Sequence, residues 1–308
     1  MKGEYNQSIM KNLIVRTITG VLFVAAVVCS FLDPVAMIAL FALVTGLTLK
    51  EFCSIVNENI EKVQVNTFIS TVAGTYLFLA MSGYVSGMTP SAGVFIPYLV
   101  TIIYLFVSEL YLKAESPLDN WAYTMLSQMY IALPLSMISV LAFQSINSKG
   151  AIDPEASYCF TATPLVVFIF LWINDTGAYC SGSLFGKRKL FPSISPNKSW
   201  EGSIGGGLLV LAAAAGIWYF TENCDTAAAL SLVIPHLSIV EWLGLGLTVV
   251  FFGTWGDLVE SLLKRKVGIK DSGNILPGHG GMLDRFDSSL LAMPAVAVYL
   301  FTLEILVR

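Results

Sequence analysis

The chain has 308 residues, 56% hydrophobic and only 12% charged, with a formal net charge of −4. Soluble domains carry roughly 25% charged residues, so this chain has too little charge to clothe a soluble fold. The acidic balance gives no global field for nucleic acid, and two histidines, His236 and His279, are too few and too far apart for a His-based metal site.

A bilayer core of about 30 Å takes roughly 20 apolar helical residues, and only helices or closed barrels satisfy their backbone groups inside it. The apolar blocks are long and do not alternate, which predicts an all-α, polytopic integral membrane protein. Nine spans are expected, at about 13–31, 35–49, 67–85, 94–112, 121–143, 163–181, 203–220, 240–256 and 289–307. The first lacks a small-residue cleavage site and reads as a membrane helix rather than a removed signal. A tight Asp33-Pro34 turn joins it to the second. With nine spans, the N-terminal side holds all but Lys149 and Arg308 of the 17 basic residues. Positive charge stays on the cytoplasmic side, so the N-terminus is expected there.

The five cysteines show no C-x-x-C pair and no metal-ligand spacing, and read as small apolar residues. The predicted topology puts Cys159 and Cys224 in outer loops, where a disulfide can form.

Two cytoplasmic connections, about 182–202 and 257–288, are long, basic and glycine-rich, and carboxylates flank each one. The first half of the chain has nothing similar. Residues 1–160 are therefore expected to form a scaffold of about five helices, and 161–308 a catalytic half of about four.

In the second connection Asp257, Ser261 and Lys264 fall at i, i+4 and i+7, on one helix face. Such a stripe can hold a metal and a phosphate; it also suits an ordinary interfacial helix with a solvated polar face. Pro277-Gly278-His279-Gly280-Gly281 then leads into the last helix. Glycines let backbone N–H groups approach an anion, and a helix N-terminus favours phosphate, although a plain turn has the same composition. Asp284 and Asp287, at i and i+3, repel each other unless a cation sits between them. Hard oxygen ligands suit Mg²⁺, whereas favourable placement on the helix dipole explains one of the two comfortably.

The first connection follows Asn174-Asp175-Thr176-Gly177-Ala178-Tyr179, inside an apolar helix. A buried aspartate there is a functional candidate or an interhelical strut. Ser195-Pro196-Asn197-Lys198 can place a cation against nucleotide phosphates, while Lys187, Arg188 and Lys189 suit a solvated loop. Gly202 and Gly206 have the G-x-x-x-G spacing of close helix packing. No P-loop is present in the Gly182…Gly186-Lys187 stretch.

At these residues the chain resembles the phosphatidate cytidylyltransferases, the CDP-diacylglycerol synthases. Ser261-x-Leu-Lys264-Arg265, Lys270-Asp271, Gly273, Leu276-Pro277, His279-Gly280-Gly281 and Asp284-Arg285-Phe286-Asp287 fill the family signature. Asp175-Thr-Gly-Ala-Tyr179 and Ser195-Pro196-x-Lys198-Ser-Trp-Glu201-Gly202 resemble its second conserved region, with Asn197 where a lysine is common. The resemblance implies a nine-helix homodimer among membrane lipids, joining CTP to phosphatidic acid with Mg²⁺ and allowing a second cation such as K⁺. It implies Asp257, Asp284 and Asp287 as the catalytic metal-site carboxylates. Substrate contacts are expected from Lys264, Arg265, Lys270, His279, Gly280, Gly281, Arg285, Ser195, Lys198 and Asp175. The expected membrane is a bacterial inner membrane, with the site facing the cytoplasm. Two rivals share this setting. A CTP-dependent lipid or polyprenol kinase releases CDP instead of pyrophosphate, and a secondary transporter needs polar residues near mid-membrane in both halves.

Overall fold

Helix starts leave backbone N–H groups without partners, and this sequence supplies caps or prolines at most of them. The computed structural model describes residues 2–145, 158–223, 233–275 and 280–307. Helix α1 is Lys2–Ser30, and α2 (Pro34–Asn59) follows the turn where Asp33 accepts the Ala36 N–H at 2.8 Å. Asn66 caps α3 (Thr67–Val85) through the Ile69 N–H at 3.0 Å. A short 3₁₀ turn enters α4 (Ile96–Leu112), which has proline in its first turn.

The next span is one helix in three pieces: α5 (Pro117–Ser127), a π-helical turn (Gln128–Ala132) and α6 (Leu133–Ala142). Pro134 has no N–H to give to the turn before it, and the wider turn accommodates that loss. Then come α7 (Thr163–Phe185), α8 (Trp200–Asn223), α9 (Ile239–Lys266) and α10 (Leu283–Val307). Ser238 and Glu241 form a reciprocal capping box at the start of α9.

Among the described residues, eight helices are long and apolar enough to cross a membrane: 34–59, 67–85, 92–112, 117–142, 163–185, 200–223, 239–266 and 283–305. The first of the nine expected spans contributes only the shorter apolar stretch Arg16–Ser30. Two expected boundaries move. Helix α2 does not stop at 49 but continues to Asn59, which carries Glu51 into the protein. Helix α9 runs ten residues past 256, so Asp257 to Lys266 are helical and the second connection is shorter than 257–288. Lys264, Arg265 and Lys266 close α9, where positive charge suits the helix C-terminus. The first connection is not plain loop either: β3 (Lys189–Phe191) pairs antiparallel with β4 (Ser195–Ser199). Another ribbon joins β1 (Phe143–Ser145) to β2 (Tyr158–Phe160). Lys149, Cys224, Leu276, Pro277, Gly278, His279 and Arg308 lie outside the described residues, and with them the pairing of Cys159 with Cys224.

In lipid, helices associate through close packing of small residues more than through transfer from water. Helix α7 lies on α8 along such a seam. A Cβ at Gly206 would meet the Asn174 carbonyl oxygen at 2.5 Å, and one at Gly202 would meet the Ala178 carbonyl oxygen at 2.8 Å. The G-x-x-x-G pair is therefore packing. Helices α9 and α10 touch in the same way, since a Cβ at Gly256 would meet the Asp287 carbonyl oxygen at 2.8 Å and Ser288 Cα at 3.0 Å.

Phe286, 1% exposed, anchors the first turn of α10 in the core. Its ring meets Phe23 of α1, Phe41 of α2 and Phe168 of α7 edge-on, with centroids 5.6, 6.0 and 5.9 Å away. Edge-to-face contact is the favoured aromatic geometry. One buried apolar cluster draws on both halves of the chain.

Candidate active site

The close approach at Gly256 and the Phe286 anchor place the acidic ends of α9 and α10 together. Asp257, Asp284 and Asp287 line one cavity of about 430 Å³, joined by Asp175 from α7 and by Arg285. Its other wall is largely apolar: Gly20, Phe23 and Val24 of α1 face Phe168, Leu171 and Trp172 of α7. A second cavity of about 230 Å³ shares Asp175 and Asp257 and is lined also by Tyr179, Asn197, Lys198, Ser199 and Ser203. Two chambers thus meet at a pair of aspartates: the larger gathers four carboxylates and Arg285 beside an apolar patch, and the smaller carries Lys198 and hydroxyls.

Each carboxylate is held differently. Asp257 pairs with Lys198 Nζ at 2.5 Å and accepts from Ser261 Oγ at 3.2 Å, as the i, i+4 spacing predicts. Asp287 Oδ1 accepts from the Ser288 N–H at 2.5 Å. Asp284 has the most partners. Its Oδ1 meets Lys264 Nζ at 2.7 Å, and its Oδ2 accepts from the N–H groups of Ser272 at 3.0 Å and Gly281 at 2.9 Å.

The remaining predicted residues divide. Lys198, Asp175 and Arg285 stand on the cavity walls. Lys264 does not: it is 13% exposed and sits between Asp284 and the wholly buried Glu260, whose Oε2 is 2.6 Å away. Arg265 lies outside both cavities, its guanidinium reaching the carbonyls of Ile194 and Ile269 at 3.5 and 3.4 Å. Lys270 is exposed in the loop that follows α9, and Ser195 lies on β4 opposite Phe191. Gly280, at φ +85°, turns the chain into α10. A side chain there would strike Asp284 Oδ2 at 2.5 Å.

Three further glutamates matter to this arrangement; the sequence assigned no role to Glu260 or Glu51, and placed Glu201 only within a motif. Glu260 balances Lys264, and its only sequence signal is the i, i+4 Glu–Lys spacing. Glu201 accepts from the backbone N–H groups of Lys187 and Arg188 at 3.1 Å, tying the basic ribbon to α8. Glu51 reaches the glycine-rich loop from α2.

The family profile described as "Cytidylyltransferase family" matches residues 14–303. This chain belongs to the cytidylyltransferase family. Within that family it is similar to the phosphatidate cytidylyltransferase of Haemophilus influenzae, 31% identical over 295 residues, which span 93% of this chain and 98% of that protein. A phosphatidate cytidylyltransferase of Staphylococcus aureus is 44% identical over 138 residues, 44% of this chain and 48% of its own length. One from Staphylococcus haemolyticus is 46% identical over 136 residues, again 44% and 48% of the two chains. The cytidylyltransferase profile covers the N-terminal helices as well as the acidic cavity.

A divalent cation has a suitable donor set here, because every candidate is a hard carboxylate oxygen. Among the described residues, no three His, Cys, Asp or Glu side chains are grouped to hold an ion by themselves. The expected set of Asp257, Asp284 and Asp287 is thus not grouped as a three-carboxylate site, and both oxygens of Asp284 are engaged by protein donors. Asp257 and Asp287 leave one or two carboxylate ligands, a number Mg²⁺ accepts when water and substrate phosphates complete its shell.

Proposed function

We propose that this membrane protein is a phosphatidate cytidylyltransferase, converting CTP and phosphatidic acid to CDP-diacylglycerol and pyrophosphate. The observation that carries the reading is the meeting of the two chambers at Asp175 and Asp257. One substrate is a water-soluble polyanion and the other an amphiphile, which suits a shared acidic junction with Lys198 on one side and, on the other, Arg285 beside an apolar patch of α1 and α7.

In the reaction a phosphate oxygen of phosphatidic acid attacks the α-phosphorus of CTP. A new P–O bond forms, the α–β bridge bond breaks, and its electron pair leaves with pyrophosphate. The attacking phosphate is already ionised, so no general base is needed. Two anions must meet, which makes charge neutralisation and alignment the main tasks. Asp257 and Asp287 would hold Mg²⁺, with Asp284 completing the acidic group while fixing the first turn of α10. Bound there, Mg²⁺ supplies charge compensation at the phosphate oxygens. Lys198 exchanges Asp257 for nucleotide phosphate, Arg285 faces the lipid phosphate, and the apolar wall of α1 and α7 receives the glycerol and upper acyl groups. Lys264 acts behind the wall by holding Asp284 and Glu260.

The distribution of basic residues supports a site at the cytoplasmic face, where CTP is available. A bacterial inner membrane, a homodimer and room for K⁺ belong to the same proposal. Incubating the purified protein in detergent with CTP, Mg²⁺ and phosphatidic acid tests it. Pyrophosphate and a cytidine-labelled lipid are expected, and both stop when the divalent cation is chelated. Release of CDP with a phosphorylated lipid would move the assignment to a kinase, and no lipid product at all would reject it.

A further inference from the structure

We propose that Glu51, from the opposite half of the chain, is a positioning residue for the acidic cavity. The inference rests on the transferase reading for its kinetic consequence, but its geometry stands apart from it. Glu51 lies on α2 and is 7% exposed. Its carboxylate accepts from three donors more than two hundred residues away. Oε1 takes the Ser272 hydroxyl and the Leu283 N–H at 3.1 Å, and Oε2 takes the Met282 N–H at 2.8 Å. Met282 and Leu283 lead into the first turn of α10, whose N–H groups have no partner within the helix and whose dipole favours an anion. Glu51 is that anion.

The contact continues to the site through Ser272. The Ser272 oxygen accepts from the Asp284 N–H at 3.3 Å, and the Ser272 N–H donates to Asp284 Oδ2 at 3.0 Å. Fixing Ser272 therefore fixes Asp284 twice, once by its backbone and once by its carboxylate. Gly281 completes the fit, because a Cβ there would collide with both Glu51 Oε1 and Ser272 Oγ. The loop amides at 272, 281, 282 and 283 are all taken by protein carboxylates. These four amides orient the acidic helix and are not free to cradle phosphate, and Gly281 serves the Glu51 contact.

A glutamine is the same size but offers one acceptor oxygen, and its amino group would face a fixed N–H or O–H donor. In full-length protein in detergent, Glu51→Gln is expected to lower kcat roughly tenfold or more. KM for CTP and for phosphatidate should stay within about threefold, the split that separates orientation from binding. Amide exchange should rise at 280–287 and stay unchanged in α3 and α4. Ser272→Ala keeps the Glu51 charge and its two amide contacts, and is expected to lose kcat by a smaller factor, about threefold. Glu51→Gln with kcat within twofold of the unchanged protein overturns the proposal. So does a rise in exchange spread over the whole chain, which would make Glu51 a general strut. Should Glu51→Gln fail to fold, unaltered kcat in Ser272→Ala overturns it instead. If the unchanged protein makes no cytidine-labelled lipid, the transferase reading fails alone, and exchange at 282 and 283 still decides for or against Glu51.

Discussion

Two lysine–aspartate pairs each place their aspartate on the same cavity, yet their surroundings differ sharply. Lys198 and Asp257 face each other on the wall, with side chains 25% and 27% exposed. Lys264 and Asp284 are 13% and 8% exposed, with Glu260 fully enclosed beside them. A half-open pair is weakly held, because water screens it and either partner can turn to a ligand. An enclosed pair is held by what its removal leaves behind, a carboxylate without a counter-charge. Residue type alone does not tell the two lysines apart; exposure does.

The comparison breaks most sharply at the exposed carboxylate. Asp257→Asn is expected to cut kcat by roughly 10³-fold or more while leaving the melting temperature in detergent unchanged, because this group works on charge developing in the reaction. Equal loss of melting temperature would make Asp257 structural. Next comes the enclosed cation. Lys264→Met should destabilise the fold by about 3–5 kcal/mol by leaving Glu260 and Asp284 buried with no cation, read as a lower thermal midpoint; retention of the midpoint would put Lys264 on the substrate side. Lys198→Met should instead cost roughly 10- to 100-fold in turnover, mostly as a higher KM for CTP, with a stability change under about 1 kcal/mol. The smallest effect sharpens the contrast. Adding Glu260→Gln to Lys264→Met should restore about 1 kcal/mol or more of the lost stability, a non-additivity that appears only if the three groups act as a unit.

Asp175 was legible because a carboxylate is costly inside an apolar helix, and Asp257, Asp284 and Asp287 because their helical spacing and the family signature set them apart. The Asp257–Ser261 contact followed from helix geometry alone. Lys264 misled, since sharing a stripe with Asp257 says nothing about which neighbouring helix its long side chain will meet. Glu51 was hidden for another reason. Lys50-Glu51 looks like the polar end of a span, and its partners at 272, 282 and 283 share no local pattern with it. The β3–β4 ribbon escaped because strands of three and five residues are too short to show alternation.

The contact at Gly256 bears on how finely this site is made. With no side chain between them, the two helices are separated there by main-chain atoms only, and main chains in mid-helix do not change rotamer. The distance from Asp257 to Asp287 is thus a dimension of the scaffold rather than an adjustment of side chains. A single added methyl at 256 would act as a shim, prising the acids apart without touching either one.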